Sequence, residues 1–165
     1  MLPWQPAYVG IGSNLGDSRA SVERAFAALA GLADTRLVAR SPVYVTPPFG
    51  PVAQPDFLNA VAGLLTRLPL ETFFAALRGL EQALGRTPPR ERWGPRAIDL
   101  DLLVFGAVRH ADAQLSVPHP GLAERDFVLF PLRDVAPDLE VPGLGRVRTL
   151  AAAVLDRGLR RVGGA

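Results

Sequence analysis

The chain has 165 residues, 48% of them hydrophobic, with a formal net charge of +2 and no cysteine. That length and apolar content suit a single domain, 1–165, burying roughly two-thirds of its unfolded surface. Absent cysteine excludes disulfides, thiolate metal sites and cysteine nucleophiles, and absent lysine, since all 18 basic residues are arginine, excludes a P-loop, Schiff-base or kinase-type strand lysine.

Any phosphate this chain handles must therefore be met by arginine. The start carries no basic stretch followed by an apolar run, and no apolar segment approaches the ~18 residues that span a bilayer. The expectation is a cytoplasmic protein with no membrane partner.

Tyr8-Val9-Gly10-Ile11 reads as a strand that stops at the turn formers Gly12 to Asp17. From Ser18, the apolar residues Val22, Ala25, Phe26 and Leu29 recur at helical spacing, with Gly31 as a stop. Leu37 to Val45 has strand composition and ends at the stiff loop Thr46-Pro47-Pro48-Phe49-Gly50-Pro51, after which Phe57 to Leu65 reads as a second strand. Leu70, Phe73, Phe74, Leu77, Leu80 and Leu84 form an apolar helical stripe between Pro69 and Gly85. Residues 86–96, dense in proline and arginine, predict a basic loop. Ile98 to Phe105 follows as a strand, Gly106 marks a turn, Phe127 to Leu132 a short helix, and Leu150 to Leu159 a final helix. Strands and helices interleave through short loops with no glycine fingerprint for a parallel nucleotide fold, so an antiparallel α+β sheet is expected.

Within Ile98-Asp99-Leu100-Asp101-Leu102, alternation puts Asp99 and Asp101 on one face of the strand, about 6.5 to 7 Å apart. Two such carboxylates repel unless a cation neutralises them, and magnesium favours a few carboxylate oxygens completed by phosphates and water. A solvated acidic strand face fits the pattern equally well. Just upstream, Arg86, Arg90, Arg92 and Arg96 surround Trp93, which offers phosphate donors beside a stacking surface or simply makes a solvated basic loop. Glu81 borders the apolar stripe in the last helical turn, where the dipole disfavours a carboxylate, so an arginine partner or a ligand must compensate it. Asn59 lies in the apolar strand on the face of Phe57, where its amide either closes a backbone gap or reads a heterocycle's edge. His119 sits between two prolines; Gly12-Ser13-Asn14 matches an anion-binding turn, but such tripeptides are common.

Taken together, Tyr8-Val9-Gly10-Ile11-Gly12-Ser13-Asn14-Leu15-Gly16, Ser41 to Pro48, Phe57-Leu58-Asn59-Ala60, the string Arg92-Trp93-Gly94-Pro95-Arg96-Ala97-Ile98-Asp99-Leu100-Asp101, Val117-Pro118-His119-Pro120 and Phe127 resemble the 6-hydroxymethyl-7,8-dihydropterin pyrophosphokinase family. The resemblance implies a ferredoxin-like antiparallel sheet with helices packed on it, and an ATP-dependent transfer of pyrophosphate to the pterin hydroxymethyl group in folate biosynthesis. It further implies two Mg2+ ions on Asp99 and Asp101, with Arg86 and Arg96 stabilising the polyphosphate. By the same likeness Glu81, Arg92, Trp93, Leu102, His119 and Arg125 line the ATP site. Thr46, Pro47, Phe49, Phe57, Asn59 and Phe127 take the pterin. A monomer is expected. Three positions depart from the family pattern: Arg78 stands where glutamine is frequent, Pro88 where a second loop arginine often lies, and Phe57 where some relatives carry tyrosine. A ferredoxin-like sheet with arginine loops also suits an RNA-binding module, but the aspartate pair would repel a phosphate backbone and no RNP-type aromatic motif is present. A non-catalytic pterin carrier, indifferent to Asp99, is the third reading.

Overall fold

The computed structural model describes residues 2–48, 50–85 and 96–162. Its first strand, β1 (Gln5–Ser13), is longer at both ends than the run of branched residues suggests. Asp17 then accepts a hydrogen bond from the Ala20 backbone N–H at 3.1 Å and so starts α1 (Ser18–Ala30).

The expected single strand from Leu37 to Val45 is two strands, β2 (Thr35–Arg40) and β3 (Tyr44–Thr46). Pro42 has no N–H for a ladder, and at Ser41 the side chain takes over: its Oγ accepts from the Val61 N–H at 2.8 Å while its own N–H donates to the Val61 carbonyl. Both pieces pair antiparallel with the same edge of β4 (Phe57–Thr66), β2 along Ala62 to Thr66 and β3 along Phe57 to Asn59. The apolar stripe forms α2 (Leu70–Ala83), and Gly85, at φ 97°, takes the left-handed conformation that lets the chain leave the helix.

After β5 (Asp99–Phe105), the chain makes the small hairpin β6 (His110–Ala111) and β7 (Ser116–Val117), a 3-10 turn at Leu122–Glu124, and α3 (Asp126–Val135). A second small hairpin, β8 (Glu140–Val141) and β9 (Gly145–Arg146), leads into α4 (Val147–Ala153). The last helix thus ends well before Leu159. Asp156 Oδ1 accepts from the N–H groups of Gly158 and Leu159, a local alternative to helical bonding, and the chain runs extended into β10 (Arg160–Arg161) beside β3.

The main sheet runs in the order β10-β3-β4-β1-β5, with β2 also on β4, and all its pairings are antiparallel. The sequence β1-α1-β2/β3-β4-α2-β5 wound in this order makes the fold ferredoxin-like: β4 and β5 flank β1 and are joined across it by α2. On one face Phe26 and Leu29 of α1 and Phe73 and Leu77 of α2 bury Val9, Ile11, Ala60, Ala62 and Leu100. On the other, Leu129 and Leu132 of α3 and Val147 and Ala151 of α4 bury Val61, Leu103 and Val104. A register shift between Tyr8 and Val9 leaves Leu103 as an extra residue in β5, so that the consecutive residues Leu103 and Val104 both enter the second core. The second pair of helices stops short, leaving one end of its face open.

Candidate functional site

Register decides what that open end contains. Gly12 of β1 lies between Asn59 of β4 and Asp99 of β5, and Gly10 lies between Val61 and Asp101. Directly opposed residues share a face, so the two glycines give a floor without side chains, flanked by the amide on one side and both carboxylates on the other. A cavity of about 290 Å³ stands over this floor. Phe57, Thr46 and Pro47 from the β3–β4 region, Phe127 and Arg125 from the start of α3, and Arg96 complete its walls.

Asn59 is buried, and its Nδ2 donates to Thr46 Oγ1 at 2.7 Å. A Cβ on Gly12 would stand 2.8 Å from Asn59 Oδ1, so the glycine is what gives that oxygen its place. Arg96 Nε approaches Asp99 Oδ2 to 3.6 Å with both side chains partly exposed to the cavity. Asn14 holds this arginine's backbone: its Oδ1 accepts from the Arg96 N–H at 2.8 Å, and its N–H donates to the Arg96 carbonyl at 2.9 Å. The Asn14 Nδ2 reaches across to Gln54 Oε1 and the Pro55 carbonyl, so it staples two loops beside the cavity. In the structure Gly12-Ser13-Asn14 is therefore a loop fastener.

A second cavity of about 280 Å³ lies on the other side of β5, lined by Phe74, Arg78, Asp101, Leu102, His119 and the 112–116 turn. Asp101 lines both cavities. His119 Nδ1 accepts from the Gly121 N–H at 3.1 Å, which requires an unprotonated Nδ1 and puts the neutral ring's hydrogen on Nε2. Burial lowers the His119 pKa below its ordinary value; Asp101 opposes this and Arg125 adds to it. The imidazole is thus held neutral at pH 7.

Glu81 faces away from the first cavity. Its carboxylate is 2% exposed, with Oε1 on Arg78 Nη1 at 2.9 Å and Oε2 accepting from the Leu100 N–H at 2.7 Å. Arg78 also donates to the Leu100 carbonyl and stacks on Phe74, its Cζ 4.9 Å from the ring centroid. Together the pair satisfies the outward-facing peptide of the edge strand β5, which answers why a carboxylate ends α2. Leu102 is 97% buried and packs in the core beneath the second cavity. Arg86, Arg90, Arg92 and Trp93, together with Phe49, lie outside the described residues, as does Pro88.

Asp99 and Asp101 offer hard oxygen donors on a polar cavity wall, and among the described residues no third His, Cys, Asp or Glu joins them. That donor set fits magnesium, which keeps positions for phosphate and water, and fits a thiophilic or imidazole-seeking metal poorly. The glycine floor, Asp126 and the fastening role of Asn14 belong to the site's construction and carry no direct signal in the sequence, where Gly12 and Asn14 stand only within a candidate anion-binding turn. Only the pairing register exposes the first, and only long-range contacts the others.

Comparison with known proteins shows which family the chain is similar to. The model of the 7,8-dihydro-6-hydroxymethylpterin-pyrophosphokinase family matches residues 8–137. A Pseudomonas aeruginosa protein, 2-amino-4-hydroxy-6-hydroxymethyldihydropteridine pyrophosphokinase, is 44% identical over 161 residues, covering 98% of this chain and 99% of its own. A Bacillus subtilis protein of the same name is 39% identical over 135 residues, covering 81% and 80%. The crystal structure of wild-type Plasmodium falciparum HPPK-DHPS with pteroate superposes with a TM-score of 0.71 at 14% identity, a likeness of fold alone, covering 92% of this chain and 42% of that longer one.

Proposed function

Because the chain belongs to the 7,8-dihydro-6-hydroxymethylpterin-pyrophosphokinase family, we propose that it transfers pyrophosphate from ATP to 6-hydroxymethyl-7,8-dihydropterin in folate biosynthesis. The hydroxymethyl oxygen attacks the β-phosphorus, the bond from that phosphorus to the oxygen bridging the α-phosphate breaks, and AMP leaves as the hydroxymethyl proton is lost. The observation that carries this reading is the position of Asp101 on the wall common to two cavities.

The first cavity suits the pterin: Phe57 and Phe127 supply ring faces, while Asn59, held by Thr46, presents an amide to the heterocycle's edge. The second takes the nucleotide, against Leu102 and His119. Arg96 and Arg125 face the first cavity, where the polyphosphate must cross toward the acceptor. Neutral His119 adds no positive charge and offers an Nε2–H donor. Residues 86–95 carry Arg86, Arg92 and Trp93, assigned to ATP by family likeness.

Two Mg2+ ions on Asp99 and Asp101 would neutralise the phosphate charge and fix the β-phosphorus for attack. The residues themselves align acceptor and donor across β5 and offset charge, which is most of what phosphoryl-type transfer asks of a protein. We further propose that the chain acts as a monomer in the cytoplasm, as a single domain.

The test is AMP formation from ATP and Mg2+, with and without the pterin. Asp99→Ala and Asp101→Ala should each lower kcat/KM by about 100-fold or more through lost metal binding, with far-UV circular dichroism unchanged. Near-normal AMP production by either variant at ordinary magnesium refutes the scheme.

A further inference from the structure

The extended segment between α4 and β10 has no part in the scheme above, yet Arg157 reaches from it into the walls of the first cavity. Asp126, the first residue of α3, is 1% exposed. Its Oδ2 accepts the Arg157 backbone N–H at 2.9 Å, while its Oδ1 takes the Phe127 N–H at 2.8 Å and the Arg157 guanidinium at 3.3 to 3.4 Å. The same guanidinium donates from Nη1 to the Pro48 carbonyl at 3.2 Å and from Nη2 to the Pro47 carbonyl at 3.4 Å. Its Cζ lies 5.8 Å from the centroid of the Phe127 ring.

Pro47 and Phe127 belong to opposite arms of the cavity wall, one following β3 and the other opening α3. Proline carbonyls have no ladder partner of their own residue's N–H to fix the loop, so the loop's placement depends on who takes those carbonyls. A planar, multiply donating cation suits this task, because one rigid fork can hold a carboxylate and two carbonyls at once. Arg157 also carries the charge that makes a buried Asp126 tolerable.

We propose that Arg157, seated on Asp126, is a positioning residue for the acceptor: it sets the separation of Pro47 from Phe127 and so the fit of the flat heterocycle, without touching the nucleotide. The proposal rests on the assignment of this cavity to the pterin. A side chain that only stabilised the fold would affect both substrates alike.

Steady-state kinetics of AMP formation decide it. Arg157→Gln should raise KM for the pterin about tenfold, with KM for ATP and kcat within about twofold. Arg157→Lys, which keeps the charge but not the fork, should recover part of that loss. Asp126→Asn should shift the same parameter, and the double variant should be no worse than the poorer single one, because the two act as one unit. An unchanged pterin KM, equal rises in both KM values, or a fall in kcat alone overturns the proposal. If Arg157→Gln does not accumulate as folded protein, Arg157→Lys is judged by the same criteria. Wild-type protein that forms no AMP at all refutes the pyrophosphokinase assignment instead, and is thereby told apart from failure of the Arg157 role.

Discussion

Gly12→Ala tests the floor of the cavity with a single methyl group. No left-handed φ is imposed at this position, so alanine is permitted by the backbone and any effect reports the added Cβ. That Cβ would stand 2.8 Å from Asn59 Oδ1, where ordinary contact begins at 3.4 Å, so the amide must retreat by about 0.6 Å. Thr46 lies on β3, across β4 from Gly12, so that retreat would press Nδ2 onto Thr46 Oγ1, already at 2.7 Å, and the amide must instead turn out of the Asn59–Thr46 bond. The expected cost is about 1 to 2 kcal/mol of stability, with pterin affinity falling about tenfold as the amide leaves its register. Gly10→Ala is the stability control, since its Cβ would meet Leu103 at an unstrained 3.5 Å. Urea denaturation gives the first quantity. Titration calorimetry with the pterin and an unreactive ATP analogue gives the second. Wild-type stability together with wild-type pterin affinity in Gly12→Ala would refute the steric argument.

Two further outcomes follow from charged groups away from the floor. Glu81→Ala removes the acceptor of the Leu100 N–H and the partner of Arg78 together, and should cost about 3 kcal/mol in urea denaturation; a loss under about 0.5 kcal/mol would contradict its role in closing the β5 edge. Asp112 is held down to about 2 from an ordinary 3.8, first by the hydrogen bond with His110 and then by the N–H groups of Gln114 and Leu115. A lowered carboxylate pKa favours the fold above pH 3.8, and that contribution is lost as pH falls toward about 2. Carboxyl-carbon NMR should therefore show Asp112 titrating near 2, moving up toward its ordinary value in His110→Ala; an ordinary wild-type titration would count against the turn as described.

Much of the architecture is legible in the chain because it rests on local periodicity. The stripe from Leu70 to Leu84 and the alternation of Asp99 and Asp101 against Leu100 and Leu102 are sequence patterns, and the helix and strand form where those patterns lie. The strand from Leu37 to Val45 broke where Pro42 lacks an N–H, a rule visible in the sequence but outweighed there by strand-forming composition. The terminal helix stopped early because Asp156 captured backbone donors and β3 offered an edge to Arg160 and Arg161, and the latter depends on a strand more than a hundred residues away.

Sequence by itself determined the fold class, the paired carboxylates and the absence of any lysine to meet a phosphate, since these follow from residue type and spacing along one strand or helix. Tertiary structure alone decided that Gly10 and Gly12 lie between an amide and two aspartates, that Asp101 serves two cavities, and that Arg157 clasps both arms of one of them. Register and long-range hydrogen bonds join residues 31 to 110 positions apart, and no period along the chain encodes such a distance.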